Sequence, residues 1–300
     1  MATYEGHDFL DDQIASICSQ SFPSWKLWVS DDSVGDETWR CLERWQAELG
    51  VALSILRGRR SGVVANFMSL VCNNEISADY YAFSDQDDIW DSEKLERAVA
   101  WLSSLNQEKP ALYCSRTLLV DDSNRKELGF SPPFARTPAF ENALVQSIAG
   151  GNTMVFNNAA RDLLLEAGPD LDVVMHDWWV YLVVAACGGA IYFDQRPSLR
   201  YRQHDRNLIG SGAGVLASLR RIRDVHLKGV YRGWVDRNVV SLERLRSRLT
   251  PESERCLKLF VDGRKRGPFG RLVGVGLSGV YRQTWVGSVS LYMSAFLGKL

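Results

Sequence analysis

The stretch "YYAFSDQDDIW" at residues 80–90 decides how the rest of the chain is read. Tyr80 to Phe83 reads as a short apolar strand, and it runs directly into Ser84-Asp85-Gln86-Asp87-Asp88. Carboxylates packed this closely repel one another and raise each other's pKa. A hard divalent cation relieves the repulsion and commonly brings phosphates with it. Ligands of open α/β sheets bind beyond the carboxyl ends of the strands. A strand that ends in three acids is therefore a candidate cation and phosphate site.

Working outward, the chain alternates helix and strand. Phe9, Leu10, Ile14 and Ile17 fall at helical spacing. Lys26 to Ser30 reads as a strand that stops at Asp31-Asp32, a second acidic cluster at a strand end. That cluster, in S-D-D-S-V-G-D, also reads as a plain turn. Asp36 is placed to cap a helix carrying Trp39, Leu42, Trp45 and Leu49. Val51, Leu53 and Ile55 alternate as a strand, and Val64, Phe67, Met68 and Val71 form a helical face. Leu95, Ala98, Val99, Leu102 and Leu105 make an amphipathic helix, followed by a strand over Ala111 to Val120. Later, Trp178 to Cys187 reads as a helix and Ala190 to Phe193 as a strand. Such alternation predicts a mostly parallel sheet with helices on both faces.

Composition sets the outer bounds. A chain of 300 residues with 46% hydrophobic and 24% charged residues has the make-up of a folded protein. It can hold one large α/β domain with a tail, or two domains. The six cysteines (18, 41, 72, 114, 187 and 256) form no C-x-x-C pair, which excludes a zinc spacing and suits a reducing compartment. Met1 runs into polar residues, so no signal peptide is expected, and no apolar run is long enough for an ordinary spanning helix. These features predict a cytoplasmic protein.

Charge is unevenly divided. Residues 1–210 hold 18 Lys and Arg against 30 Asp and Glu, whereas residues 211–300 hold 17 against 6. The sign changes at Gly210-Ser211-Gly212-Ala213-Gly214, the best linker in the chain. This predicts an acidic domain over 1–210 and a basic helical extension over 211–300. Within the extension, Leu219, Ile222 and Val225, then Leu242, Leu245 and Leu249, give basic helical faces. Thr250-Pro251-Glu252 reads as a helix start. The glycine-rich apolar end, "LVGVGLSGVYRQTWVGSVSLYMSAFLG", completes a pattern suited to the interface of an anionic inner leaflet. The plainer reading is a basic face that packs on the acidic body, or a helix pair that dimerises or covers the sheet. The basic stretch carries no motif of a nucleic-acid reader, and no nucleic-acid partner is expected.

In order along the chain, "ATYEG" (2–6), "VSDDSVGDET" (29–38), "FSDQDDIW" (83–90), "GGNTMVF" (150–156), "HDWW" (176–179) and "YRQHDRNLIG" (201–210) resemble the inverting family 2 glycosyltransferases of GT-A fold. Within them they look most like bacterial rhamnosyltransferase-like members that build cell-surface polysaccharides. The resemblance covers about residues 2–210. It implies transfer of a sugar from a nucleoside diphosphate donor to a glycan or lipid-linked acceptor, assisted by Mg or Mn, with rhamnose from a dTDP donor as the best single choice.

The same resemblance assigns residues. Asp87 becomes a metal ligand, with His204 of Arg202-Gln203-His204 reaching the metal and pyrophosphate. Asp85 faces the ribose and nucleotide; Asp88 is an extra ligand or a helix cap. Asp177 of Met175-His176-Asp177-Trp178-Trp179 takes the catalytic-base position, as inverting transfer needs a group to receive the acceptor's proton. It also reads as a simple helix N-cap. Trp178 and Trp179 are candidate platforms for the acceptor, or core residues. Donor binding would begin at Thr3 and Tyr4, with Asp31 and Asp32 accepting the imide N–H of the base. Arg60 would meet base or diphosphate. Gly150-Gly151 would let backbone approach the sugar, and Asn152 would hydrogen-bond it.

One departure stands out: the family's apolar first strand before "ATYEG" is missing, with Met1 directly preceding Ala2. A start codon placed too late accounts for this. A non-catalytic sugar-nucleotide-binding or scaffold protein of a polysaccharide assembly complex is the alternative. A metal-dependent phosphohydrolase would use the acidic cluster but leaves "ATYEG" and "HDWW" without a role.

Overall fold

A computed structural model of the chain describes residues 1–204 and 229–300. The expected linker, the 210/211 boundary and the face through Leu219, Ile222 and Val225 lie outside the described residues. The first part of the fold repeats strand and helix: β1 (Ala2–Thr3), α1 (His7–Cys18), β2 (Leu27–Asp31), α2 (Glu37–Leu49), β3 (Leu53–Arg57) and α3 (Val63–Val71). The three strands form a parallel sheet in the order β1-β2-β3. α1 buries Leu10, Ile14 and Ile17 on one stripe against Val29 of β2 and Leu53 of β3.

The first strand, expected to be missing, is short rather than absent. Ala2 and Thr3 pair in parallel with Ser30 and Asp31. Ser30 N–H donates to the Met1 carbonyl at 3.0 Å and Asp32 N–H to that of Thr3 at 2.9 Å, so three residues satisfy the edge of β2 there. The Met1 side chain is buried in the same core cluster.

The second sheet uses β4 (Tyr80–Ala82), β5 (Ile89–Trp90), β6 (Ala111–Asp121), β7 (Glu127–Phe130), β8 (Val155–Asn157) and β9 (Ala190–Gln203). Its order is β4-β8-β6-β9-β5, with β7 also paired to β6. Among the described residues only β6 and β9 run parallel there; the other pairings are antiparallel. The architecture is therefore mixed, less parallel than helix–strand alternation alone suggests. The two sheets meet where Ala2 N–H donates to the Ser84 carbonyl at 3.3 Å, at the start of the acidic loop.

β9 runs far past Phe193, where the apolar pattern stops. It crosses a register shift opposite Ser115 and Arg116. Arg97 of α4 (Lys94–Ser103) holds the polar middle in place, donating to the Pro197 carbonyl at 3.0 Å and to Asp194 at 2.7 Å. This carries the chain to Arg202, Gln203 and His204.

Helices α5 (Phe140–Ala143), α6 (Asn158–Ala167) and α7 (His176–Ala186) cover this sheet. Every residue of α7 is buried, as expected for a helix apolar all round. The C-terminal helices are α8 (Val230–Leu242), α9 (Pro251–Arg264), α10 (Pro268–Ser278) and α11 (Trp285–Phe296). Thr250 caps α9 by accepting from Ser253 N–H, with Pro251 in the first turn. Tyr231, Val235, Leu257, Phe260 and Leu291 join the core cluster that holds Trp179 and Phe156. α9 and α10 touch backbone to backbone: a Cβ on Gly274 would stand 2.4 Å from Gly263 Cα.

Candidate active site

β4 delivers the acidic loop to the rim of the parallel sheet, and β9 returns to it with His204. His204 Nε2 lies 2.8 Å from Asp87 Oδ2, with the His ring stacked on Phe9 at 4.7 Å between centroids. Residues 117 positions apart, assigned to one metal by resemblance, thus meet. Arg202, buried beneath, is fixed by the Asp12 carboxylate and by the Asp122 carbonyl at 2.8 Å.

Asp85 carries no dedicated cationic partner of its own loop. Burial pushes its carboxyl up to about 7, and the Asp87 and Asp177 charges add to the shift; the Met1 ammonium and Lys94 offset part of it. Asp85 therefore feels both the metal-side carboxylate and the expected base. Asp88 turns inward. It is fully buried, accepts from Asn152 Nδ2 at 2.6 Å, and is raised well above the usual carboxylate range by burial and by its acidic neighbours. Lys94, also fully buried, donates to the Asn152 carbonyl and sits 4.2 Å from the Trp90 ring centroid. Burial lowers its ammonium to about 7. Asn152 thus spends its amide on Asp88 and holds the acidic loop from behind, where sequence reasoning turned it toward the sugar.

The donor-side residues form a row across the parallel sheet. Thr3, Asp31 and Arg57 are register partners at the carboxyl ends of β1, β2 and β3. Asp31 Oδ1 accepts from the Thr3 hydroxyl at 2.9 Å and the Ser33 hydroxyl at 2.6 Å; Arg57 approaches Oδ2 at 3.5 Å. Asp31 and Thr3 are buried. Asp32 Oδ1 accepts from Arg60 N–H at 3.0 Å, which holds Arg60 at a positive φ of 56°. Glu5, also at positive φ, folds its carboxylate onto the Val34 and Gly35 N–H groups at 2.8 and 3.1 Å. Tyr4 is 60% exposed, its ring open to solvent, while its backbone is gripped from both sides: Tyr4 N–H donates to Gln86 Oε1 at 2.7 Å and Gln86 Nε2 donates to the Tyr4 carbonyl at 3.0 Å. Gln86 therefore ties the donor loop to the acidic loop.

Asp177 sits buried in the first turn of α7. Burial raises its carboxyl to about 6, while the Trp178 and Gly151 backbone amides hold it down in part. Trp178 N–H donates to Oδ1. The N-cap is Met175, with no side-chain cap, so Asp177 is a first-turn acid and not the cap itself. Both tryptophans prove to be core: Trp179 is fully buried, and Trp178 donates Nε1–H to the Ala143 carbonyl at 2.7 Å. Neither faces an acceptor. Gly151 is small for an internal reason, since a Cβ there would stand 2.3 Å from His176 Nε2. His176 is stacked on Phe67 at 3.8 Å and edge-on to Phe83 at 4.8 Å. Burial holds its pKa down near 3, so it is a neutral spacer beneath the base.

Sequence reasoning missed Gln86, Arg57 and Lys94. Gln86 is the middle residue of D-x-D and carries no charge that would mark it. Arg57 is a charge at the carboxyl end of a strand. Lys94 stands four residues before Ala98 on the apolar stripe of its helix, an anomaly visible in the pattern.

Residues 1–164 match the profile of Glycosyl transferase family 2. The chain is 27% identical over 230 residues to "dTDP-rhamnosyl transferase RfbG" of Shigella flexneri, covering 74% of this chain and 78% of that protein. It superposes on the TarS 1-349 crystal structure from S. aureus, in complex with UDP-GlcNAc, with a TM-score of 0.54 at 13% identity, over 99% of this chain and 89% of that one. GalNAc-T7 with UDP, GalNAc and Mn2+ gives a TM-score of 0.50 at 14% identity, over 77% and 48%. The curled mixed sheet with flanking helices is thus the GT-A fold.

Proposed function

The chain belongs to glycosyltransferase family 2, and from that premise we propose that it transfers rhamnose from dTDP-rhamnose, with inversion, to a glycan or lipid-linked acceptor in cell-surface polysaccharide synthesis. The rhamnosyl donor is taken from the relative described as a dTDP-rhamnosyl transferase. The observation that carries the reading is the convergence of Asp87 with His204 at 2.8 Å, with Asp85 between that pair and Asp177 in its electrostatics.

The metal proposal fits the donor set. Among the described residues no three His, Cys, Asp or Glu side chains gather to enclose an ion. Two protein ligands suit a cation that takes its remaining oxygens from a diphosphate and water. The strained charge state of Asp85 is what a cation beside Asp87 would relieve. When bound, Mg or Mn would neutralise the charge that grows on the departing diphosphate.

The protein's own groups do the rest. Asp177, ionised above about pH 6, receives the acceptor's hydroxyl proton on its carboxylate. Thr3, Asp31 and Arg57 line the edge on which the nucleobase would lie, and Gln86 keeps that edge at a set distance from Asp85 and Asp87. Six free cysteines suit action in a reducing cytoplasm.

Calorimetric titration with dTDP and UDP, in Mn and then in EDTA, tests the reading, followed by transfer from dTDP-rhamnose. Metal-dependent binding that favours dTDP is expected. Equal binding in EDTA would refute the metal role, and a preference for UDP would refute the donor.

A further inference from the structure

The helices α10 and α11 turn apolar side chains outward in a repeating pattern. On α10, Phe269, Val273 and Leu277 follow one another at intervals of four and are 77%, 52% and 66% exposed. On α11, Trp285, Val289 and Met293 repeat the interval at 79%, 53% and 58%. The opposite faces are buried: Val275 on α10 and Leu291 and Ala295 on α11 belong to the core. Helix folding accounts for the inner stripe but not for the outer one. The two outer stripes form one surface, because Phe269 meets Phe296 edge-on at 6.0 Å and Arg271 donates to the Phe296 carbonyl at 3.3 Å. A contiguous apolar surface of this kind marks an interaction site.

Charge selects the occupant. From residue 263 to 300 the chain has six Lys and Arg and no Asp or Glu. Lys265 and Arg266 are exposed in the turn that leads into α10, one helical turn from Phe269. A second copy of the same surface would set like charges against one another, since a two-fold interface opposes each patch to itself. An anionic bilayer offers both an apolar layer and negative charge. Tryptophan at a helix end is at home at headgroup level, and short amphipathic helices lie in that plane. Among the described residues no helix is long and apolar enough to cross a membrane, so a surface mode is what these helices can support.

We propose that the outer face of α10 and α11, with Lys265 and Arg266 at its rim, seats the protein on an anionic lipid surface. The seat is coupled to the site through few bonds. Asn142 of α5 donates to the Tyr281 carbonyl at 3.0 Å, between α10 and α11, and the adjacent Ala143 carbonyl holds Trp178 beside Asp177 at 2.7 Å.

The full chain is tested by co-flotation with vesicles of phosphatidylcholine alone and of equal parts phosphatidylcholine and phosphatidylglycerol. Binding to the anionic vesicles only, weakened by salt, is expected. Each basic charge near such a surface is worth about fivefold in affinity, so Lys265→Gln with Arg266→Gln should weaken binding roughly 25-fold. Phe269→Ser with Trp285→Ser should abolish it while dTDP binding is unchanged, which keeps loss of the seat separate from loss of the donor site. Absence of flotation by the folded wild type, or flotation unaffected by both pairs, overturns the proposal. So does a wild-type dimer in solution that Phe269→Ser with Trp285→Ser converts to monomer.

Discussion

Replacing Asp177 with Asn separates chemistry from binding. Asn keeps the shape of the carboxylate and can still accept the Trp178 N–H through its side-chain oxygen. What it loses is the charge and the ability to take a proton. With a carboxyl raised to about 6, about nine-tenths of the native side chain is ionised at pH 7. General-base assistance is worth about 10²–10⁴-fold in rate, or about 3–5 kcal/mol. kcat for transfer should fall by that factor. Nucleotide binding should survive or tighten, because the Asp177 charge is one of the causes that raise Asp85, and its removal favours the ionised Asp85. The assay pairs initial rates of sugar transfer with calorimetry of dTDP and Mn on one preparation. A kcat within about tenfold of wild type would refute the base assignment. A parallel collapse of nucleotide affinity would refute the claim that Asp177 acts on the acceptor side.

Asp87→Ala should abolish the Mn dependence of dTDP binding, measured as the affinity difference between Mn and EDTA; an undiminished difference would remove Asp87 from the metal. The pH profile of kcat/KM should rise through about pH 6 with unit slope, because a base held above its ordinary value by burial is protonated and idle below that point; a flat profile from pH 5 to 8 would contradict it. Gly274→Ala should destabilise the fold by about 1–3 kcal/mol by urea unfolding, since its Cβ would stand 2.4 Å from the Gly263 backbone. Gly276→Ala is its control: on the same helix, its Cβ would meet nothing nearer than the Tyr292 hydroxyl at 3.9 Å. The better helix propensity of Ala should stabilise that variant by up to about 1 kcal/mol.

The residue order alone holds the strand ends that matter. An apolar run stopping at Asp31-Asp32, another stopping at Asp85 to Asp88, and an acid opening the helix at Asp177 are local patterns, and local periodicity marks them. Thr250-Pro251 announced α9 for the same reason. β9 was half legible. Its apolar start is written in Ala190 to Phe193, but its continuation depends on Arg97, a hundred positions away from Pro197. The short β1 was illegible, because two residues carry no period and become a strand only by pairing with β2.

Within the site, residue type alone identified which side chains could bind a cation, a base or a proton. Which way each one points was decided by the tertiary structure. Asp87 and Asp88 are neighbours of identical chemistry, yet one meets His204 in a partly buried pair and the other is fully buried against Asn152. Glycine at 151 looked like room for a ligand and is room for His176. Trp178 and Trp179 read as platforms or as core, and burial makes both core. The physical reason is common to all of these: a sequence specifies hydrogen-bonding capacity and apolar area, whereas partners are chosen only when distant segments compete for the same buried space.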